Sequence, residues 1–106
     1  MKNEKILALR ATLLIAISEA KKVKNSEDGG TSNMDTPTLY LENWKLSEIE
    51  EAFKLTGLIP HTNGSGCTFI LRACEGQGYR RTAMAEAFSK SLRASGYIAG
   101  VDYRMD

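Results

Sequence analysis

The sequence predicts an α+β domain in which helices pack on one face of a small, mostly antiparallel sheet, behind a long apolar N-terminal helix. Three observations predict it. Apolar residues recur at helical spacing through residues 3–24. Short apolar runs bounded by Gly, Asn and Pro read as strands. The resulting order, α-β-α-β-β-α-β, suits helices on one sheet of about four strands. The 106 residues, 25% charged and 42% hydrophobic, allow a single domain over 1–106: helix 1–24, loop 25–37 and an α/β body 38–106.

Residues 3–24 contain neither Gly nor Pro. Ile6, Leu9, Leu13, Ile17 and Ala20 form one stripe, and Leu7, Leu14 and Ile15 widen it beyond one face. A helix apolar on most sides is buried on most sides. A partner subunit covers it in one reading, giving an isologous dimer; in the other it is central to a monomeric core. Asn25 to Pro37 is a polar loop broken by Gly29-Gly30, with Asn33 and Asp35 as turn formers. Thr38 to Leu41 is a short strand. Ser47 and Glu50 have capping-box spacing, which predicts a helix over 48–56 with Ile49, Ala52 and Phe53 buried and Gly57 at C′. Leu58 to Thr62, Asn63-Gly64 and Cys67 to Ala73 read as a hairpin, with Pro60 holding the first arm to an edge. A helix from Arg80 or Arg81 to Ala94 buries Met84, Ala87, Phe88 and Leu92, and Gly96 ends it. Tyr97 to Arg104 is the last strand, with Gly100 a bulge position.

The same arithmetic excludes several classes. Fourteen basic and 13 acidic residues leave a net charge of +1, which argues against a surface that coats nucleic-acid polymers. Ile6 to Ile17 holds ten apolar residues in twelve after Lys2 and Lys5, but Arg10 splits the run and no cleavage motif follows. It is too short for a membrane span. Cys67 and Cys74, seven apart on one predicted strand, point to opposite faces and form no disulfide framework. With His61 as the one histidine there is no metal-ligand spacing, and no cofactor is expected. A reducing, cytoplasmic setting follows. Catalysis finds little support: His61 sits beside Pro60 in a turn region, and Glu48, Glu50 and Glu51 read as a solvated face, while the Gly-rich loop and Asp35 leave a phosphodiesterase as the last-ranked reading.

The most informative stretch runs from Cys74 to Thr82, between a predicted strand and a predicted helix. Gly76 and Gly78 let the backbone approach a ligand. The first N–H groups of a helix lack intrahelical partners and attract anions. Arg80 and Arg81 add guanidinium forks, unfavourable against the helix dipole unless an anion compensates them. Tyr79 offers a flat face to a base. Residues 1–53 carry seven basic and nine acidic groups, and 54–106 carry seven and four, so a −2 half adjoins a +3 half. Arg72, Arg80, Arg81, Arg93 and Arg104 are five of the six arginines. Phe69 reads as core or as a stacking residue.

Three segments together resemble a known family: Gly29 to Asp35, Gly76-Gln77-Gly78-Tyr79-Arg80-Arg81-Thr82, and Tyr103-Arg104-Met105-Asp106. Their order and spacing look like the phage Thoeris anti-defence "sponge" proteins, over roughly residues 25–106. The resemblance implies non-catalytic sequestration of cyclic ADP-ribose isomers, with cyclic oligonucleotides at a separate site in some members. It also implies a homo-oligomer with pockets at the subunit interface. Ligand phosphates would then meet Arg80, Arg81 and the Gly76–Tyr79 loop, with Thr82, Arg72 and Arg104 nearby. An adenine would stack on Phe69 or Tyr79, and Asn33 and Asp35 would hydrogen-bond base or ribose. The other readings are a phage-type inhibitor or adaptor that binds a host protein, and a small RNA- or DNA-binding domain using the Arg-rich half.

Overall fold

The computed structural model describes the backbone over residues 2–23, 36–63, 66–70 and 79–102, and the side chains over 4–23, 36–61 and 83–102. The elements are α1 (Lys2–Lys22), β1 (Thr36–Tyr40), α2 (Leu46–Phe53), β2 (Ile59–Asn63), β3 (Gly66–Ile70), α3 (Tyr79–Ala94) and β4 (Ile98–Asp102). Their order is the one the sequence predicts, and the class is α+β. The four strands form one sheet in the order β2-β3-β1-β4, with every neighbouring pair antiparallel. β1 and β2 flank β3, and β3 and β4 flank β1. Helices α2 and α3 therefore each link strands that have another strand between them, giving two interlocked split β-α-β units.

Alternation along β1 separates the two faces of the sheet. Pro37 and Leu39 are buried, whereas Thr36 and Thr38 are half-buried and Tyr40 is exposed. α3 packs against β1 and β4, and α1 packs against α3 and α2. One core joins Leu9, Leu13, Ala16 and Ala20 of α1 to Leu39, to Ile49, Ala52 and Phe53 of α2, and to Met84, Phe88 and Leu92 of α3. Phe88 and Leu13 are 0% exposed, and each such side chain contributes about 1.5–3 kcal/mol through burial. Ile6 and Ile17 of the predicted stripe flank this core half-buried.

The ends of the elements show where local sequence decided the outcome. α3 stops at Gly96, whose φ of 93° is left-handed. The Gly96 N–H donates to the Arg93 carbonyl at 3.0 Å, and the Tyr97 N–H donates to the Leu92 carbonyl at 3.1 Å. These paired bonds form a Schellman turn, with Tyr97 packed against the core beside buried Leu92. Pro60 lies on the edge strand β2, as a residue without an N–H should. Pro37 lies in β1, which the predicted loop 25–37 had left out, and β1 is a central strand. The β1–β3 pairing reaches only to Thr38, one residue short of Pro37. The proline is accommodated where the ladder to β3 stops.

Several expectations are corrected. α2 starts at Leu46 with Lys45 as N-cap, so the box is not Ser47–Glu50. Glu48 fills the acceptor role instead, its Oε1 taking the Lys45 N–H at 2.9 Å. Glu48 is buried and is no part of a solvated face. The left-handed residue after α2 is Leu55 (φ 71°), two positions before Gly57 (φ 81°). β3 is described over Gly66–Ile70, and the rest of the predicted strand, to Ala73, lies with Cys74 outside the described residues. Gly100 pairs with Thr38 in unbroken register, so it marks no bulge. β2 and β3 form the predicted hairpin, but Asn63 belongs to β2 and pairs with Gly66, so it does not open the turn as the Asn63-Gly64 signal predicts.

Leu55 is 83% exposed, so its side chain gains little from burial while its left-handed backbone opposes an L side chain. Leu55→Gly is expected to raise stability by about 0.5–1 kcal/mol in urea denaturation. A loss of stability would show that the Leu55 side chain matters more than its backbone.

Candidate functional site

The sheet register sets four points of the chain at one end. Thr36 opens β1 opposite Asp102, which closes β4. Thr38 stands opposite Thr68, so Ile70, which closes β3, is level with Thr36. Ile59, which opens β2, pairs with Ile70. The chain therefore enters β1 and leaves both β3 and β4 at the same end. α3 also points there. Its C-terminus joins the far end of β4 through residues 95–97, and the helix packs back along β4 and β1. Its N-terminus at Tyr79 is thereby directed toward the end where β4 finishes.

The described points at that end adjoin, in sequence, the segments that carry the predicted site residues. Asn33 and Asp35 precede Thr36, and Arg72 follows Ile70 by two residues. Gly76, Gln77 and Gly78 precede Tyr79, and Arg104 follows Asp102 by two residues. All seven lie outside the described residues. Tyr79, Arg80, Arg81 and Thr82 form the first turn of α3, one or two residues ahead of the predicted start, and their side chains lie outside the described residues. Phe69 is in β3 opposite Pro60, its side chain likewise outside the described residues. The register thus gathers the points from which the Asn33–Asp35, Arg72–Thr82 and Arg104 segments leave the framework.

The first turn of α3 contains no acidic residue. Its N–H groups, which have no partners within the helix, and two arginine positions make it positive. Two hydrogen bonds fasten the other half of the helix to β4. Ser89 Oγ, on a residue 0% exposed, donates to the Gly100 carbonyl, and Arg93 Nη1 donates to the Ala99 carbonyl at 3.1 Å. Arg93 therefore serves the α3–β4 junction, away from the helix N-terminus. His61 stands in β2 opposite Thr68, in a strand and not in the predicted turn region, with its side chain exposed. Cys67 is opposite Leu39 in the middle of the sheet. Among the described residues, no cluster of three or more His, Cys, Asp or Glu is placed to hold a metal ion, and no helix is long and apolar enough to cross a membrane.

A polar seam between α1 and α2 escaped sequence reasoning. Lys5 Nζ lies 3.3 Å from Glu48 Oε1 and 4.5 Å from the centroid of the Trp44 ring. Arg10 Nη2 donates to the Glu51 carbonyl and stands 3.6 Å from its Oε1. That carbonyl is in the last turn of α2 and also takes the Lys54 N–H at 3.3 Å, so Arg10 adds a second donor at the helix end from outside. The acidic residues of α2 supply the one signal for this seam: Glu48 and Glu51 are three apart and meet Lys5 and Arg10, five apart on α1. The seam fixes α2 against α1 at the side of the core.

Comparison with family models, with curated proteins and with solved structures yields no match for this chain.

The Glu48 contacts define a test of the seam. Glu48→Ala removes the acceptor from the Lys45 N–H and the partner of Lys5, and is expected to cost about 1–3 kcal/mol in urea denaturation. Glu48→Gln keeps an acceptor oxygen and is expected to cost less. Equal losses would assign the effect to the charge alone.

Proposed function

We propose that the protein binds and sequesters a phosphorylated, adenine-containing signal of the cyclic ADP-ribose type without chemically altering it. One observation supports the reading: the start of β1, the ends of β3 and β4 and the first turn of α3 lie toward one end of the sheet, and these are the described points next in sequence to Asn33, Asp35, Arg72, Gly76–Gly78 and Arg104. A ligand with two phosphates and two riboses is large enough to touch several of those segments at once. The positive first turn of α3 suits its phosphates, because backbone N–H groups and guanidinium forks both favour a dianionic group.

In this reading Arg80 and Arg81 take the phosphates, with Gly76, Gln77 and Gly78 as the cradle and Thr82 as an additional donor. Arg72 and Arg104 add charge at the rim, and Tyr79 or Phe69 stacks on the base. Asn33 and Asp35 select base or ribose hydroxyls. Binding without turnover is the reading drawn from a sequence that offers neither a paired acid and base nor an activated nucleophile. The resemblance to the Thoeris anti-defence sponges supports the same ligand class, a homo-oligomer and a place in the cytoplasm of an infected cell. Cyclic oligonucleotides are the second ligand class of that reading.

Calorimetry and thermal shift with cyclic ADP-ribose isomers and cyclic oligonucleotides test it. A rise in the melting midpoint with measurable heat is expected from one of them, and heating the complex should return the ligand intact. Arg80→Ala with Arg81→Ala should weaken binding at least about tenfold, which corresponds to some 1.4 kcal/mol, while the far-UV circular dichroism spectrum is kept. Absence of heat and shift with every nucleotide overturns the reading. A cleaved product turns it into an enzyme, and steeply salt-dependent binding to long oligonucleotides turns it into a nucleic-acid-binding domain.

A further inference from the structure

We propose that α1 uses its outer face to pair with the same face of a second copy of this chain, antiparallel, about a two-fold axis near Ala11 and Leu14. The proposal goes beyond the ligand reading and does not depend on it.

α1 has two apolar faces. Leu9, Leu13, Ala16 and Ala20 are 0% exposed and belong to the core. On the opposite side of the helix, Leu7 is 56% exposed, Leu14 47% and Ile15 58%, with Ala8 and Ala11 exposed between them. The exposed positions Glu4, Leu7, Ala11, Leu14, Ser18 and Lys21 follow a spacing of three and four residues, the repeat of a two-helix seam. Its centre is uncharged from Leu7 to Ser18, and its two ends carry opposite charges. A face of this kind turned only to solvent is unusual, and surface helices normally present charge there.

The order of residues along the seam names the occupant. In an antiparallel pair Glu4 of one copy faces Lys21 of the other, Leu7 faces Ser18, and Leu14 faces Ala11. Charges of opposite sign meet at both ends, and each large residue meets a small one, so the helices can approach closely. In a parallel pair Glu4 would face Glu4 and Lys21 would face Lys21, which is unfavourable at both ends. The face is therefore complementary to itself in the antiparallel sense, as an isologous contact requires. Ile15 and Ala8 widen the contact along one flank. The seam is small against the roughly 800 Å² per partner of a standard interface, so the dimer should be concentration-dependent.

Sedimentation equilibrium on the full chain, over a wide range of protein concentration, reads the outcome. The wild-type chain should pass from monomer to dimer as concentration rises. Leu14→Glu puts two carboxylates near the axis and should raise the dimer dissociation constant at least about tenfold. Its circular dichroism spectrum should be unchanged, since Leu14 is outside the core. Lys21→Glu should weaken the dimer, and adding Glu4→Lys to it should restore association, because only an antiparallel pair brings these two positions together. A monomer up to about 1 mM, or a dimer indifferent to Leu14→Glu, overturns the proposal. A dimer that Leu14→Glu breaks but the charge exchange does not restore overturns the antiparallel arrangement. Loss of nucleotide binding with the dimer intact would bear on the ligand reading alone.

Discussion

The position of α3 is the constraint on which the rest of the structure depends. Met84, Phe88 and Leu92 are fully buried, with α1 packed against the helix and β1 and β4 against it as well. Burial of that kind is non-directional and would allow the helix to slide. Its register is set by directional contacts: the Schellman turn at Gly96, the Ser89 hydroxyl on the Gly100 carbonyl, and Arg93 on the Ala99 carbonyl. An unmet hydroxyl at Ser89 would cost about 1–3 kcal/mol, which is enough to hold one arrangement over its neighbours. With its C-terminal half fastened to β4, the helix can aim its N-terminus only toward the far end of that strand. A local turn and two side-chain bonds thereby orient the one positive helix end that the ligand reading uses.

Much of the framework was legible in the sequence because it rests on local chemistry. The 3- and 4-residue spacing in 3–24, the hairpin before Cys67, the edge proline at 60 and the glycine at 96 each state their outcome through a single mechanism. The misreadings arise where tertiary contacts override such signals. Ser47–Glu50 has the spacing of a capping box, yet Glu48 does the capping because Lys5, itself seated over the Trp44 ring, stabilises a buried carboxylate there. Gly57 is the better residue for a left-handed C′ position, yet the helix ends earlier and places Leu55 in it. Pro37 enters a central strand because its neighbour strand pairs only from Thr38 onward. None of these outcomes is encoded in a window of ten residues.

The candidate site was legible in a different way. Its pieces were found as separate motifs, spread from Asn33 to Arg104, with no indication in the sequence of which belong together. Sheet order relates only the described points beside them: β1, β3 and β4 are adjacent, and two of them end where the third begins. The two ends of the charge distribution then acquire separate roles. The near-zero total of +1 combines an acidic α2 engaged with Lys5 and Arg10 of α1 and an arginine-rich second half, of which Arg80 and Arg81 lie in the first turn of α3.

Backbone amide shifts of the labelled protein, recorded as cyclic ADP-ribose is added, test the central claim most directly. The expected changes concentrate at Thr36, Ile70, Tyr79 to Thr82 and Asp102, toward the end of the sheet where β1 begins and β3 and β4 end, and leave Asn63, Gly66 and Ile98 at the opposite end unchanged. Changes confined to that opposite end or to the outer face of α1, or no changes at saturating nucleotide, would contradict it.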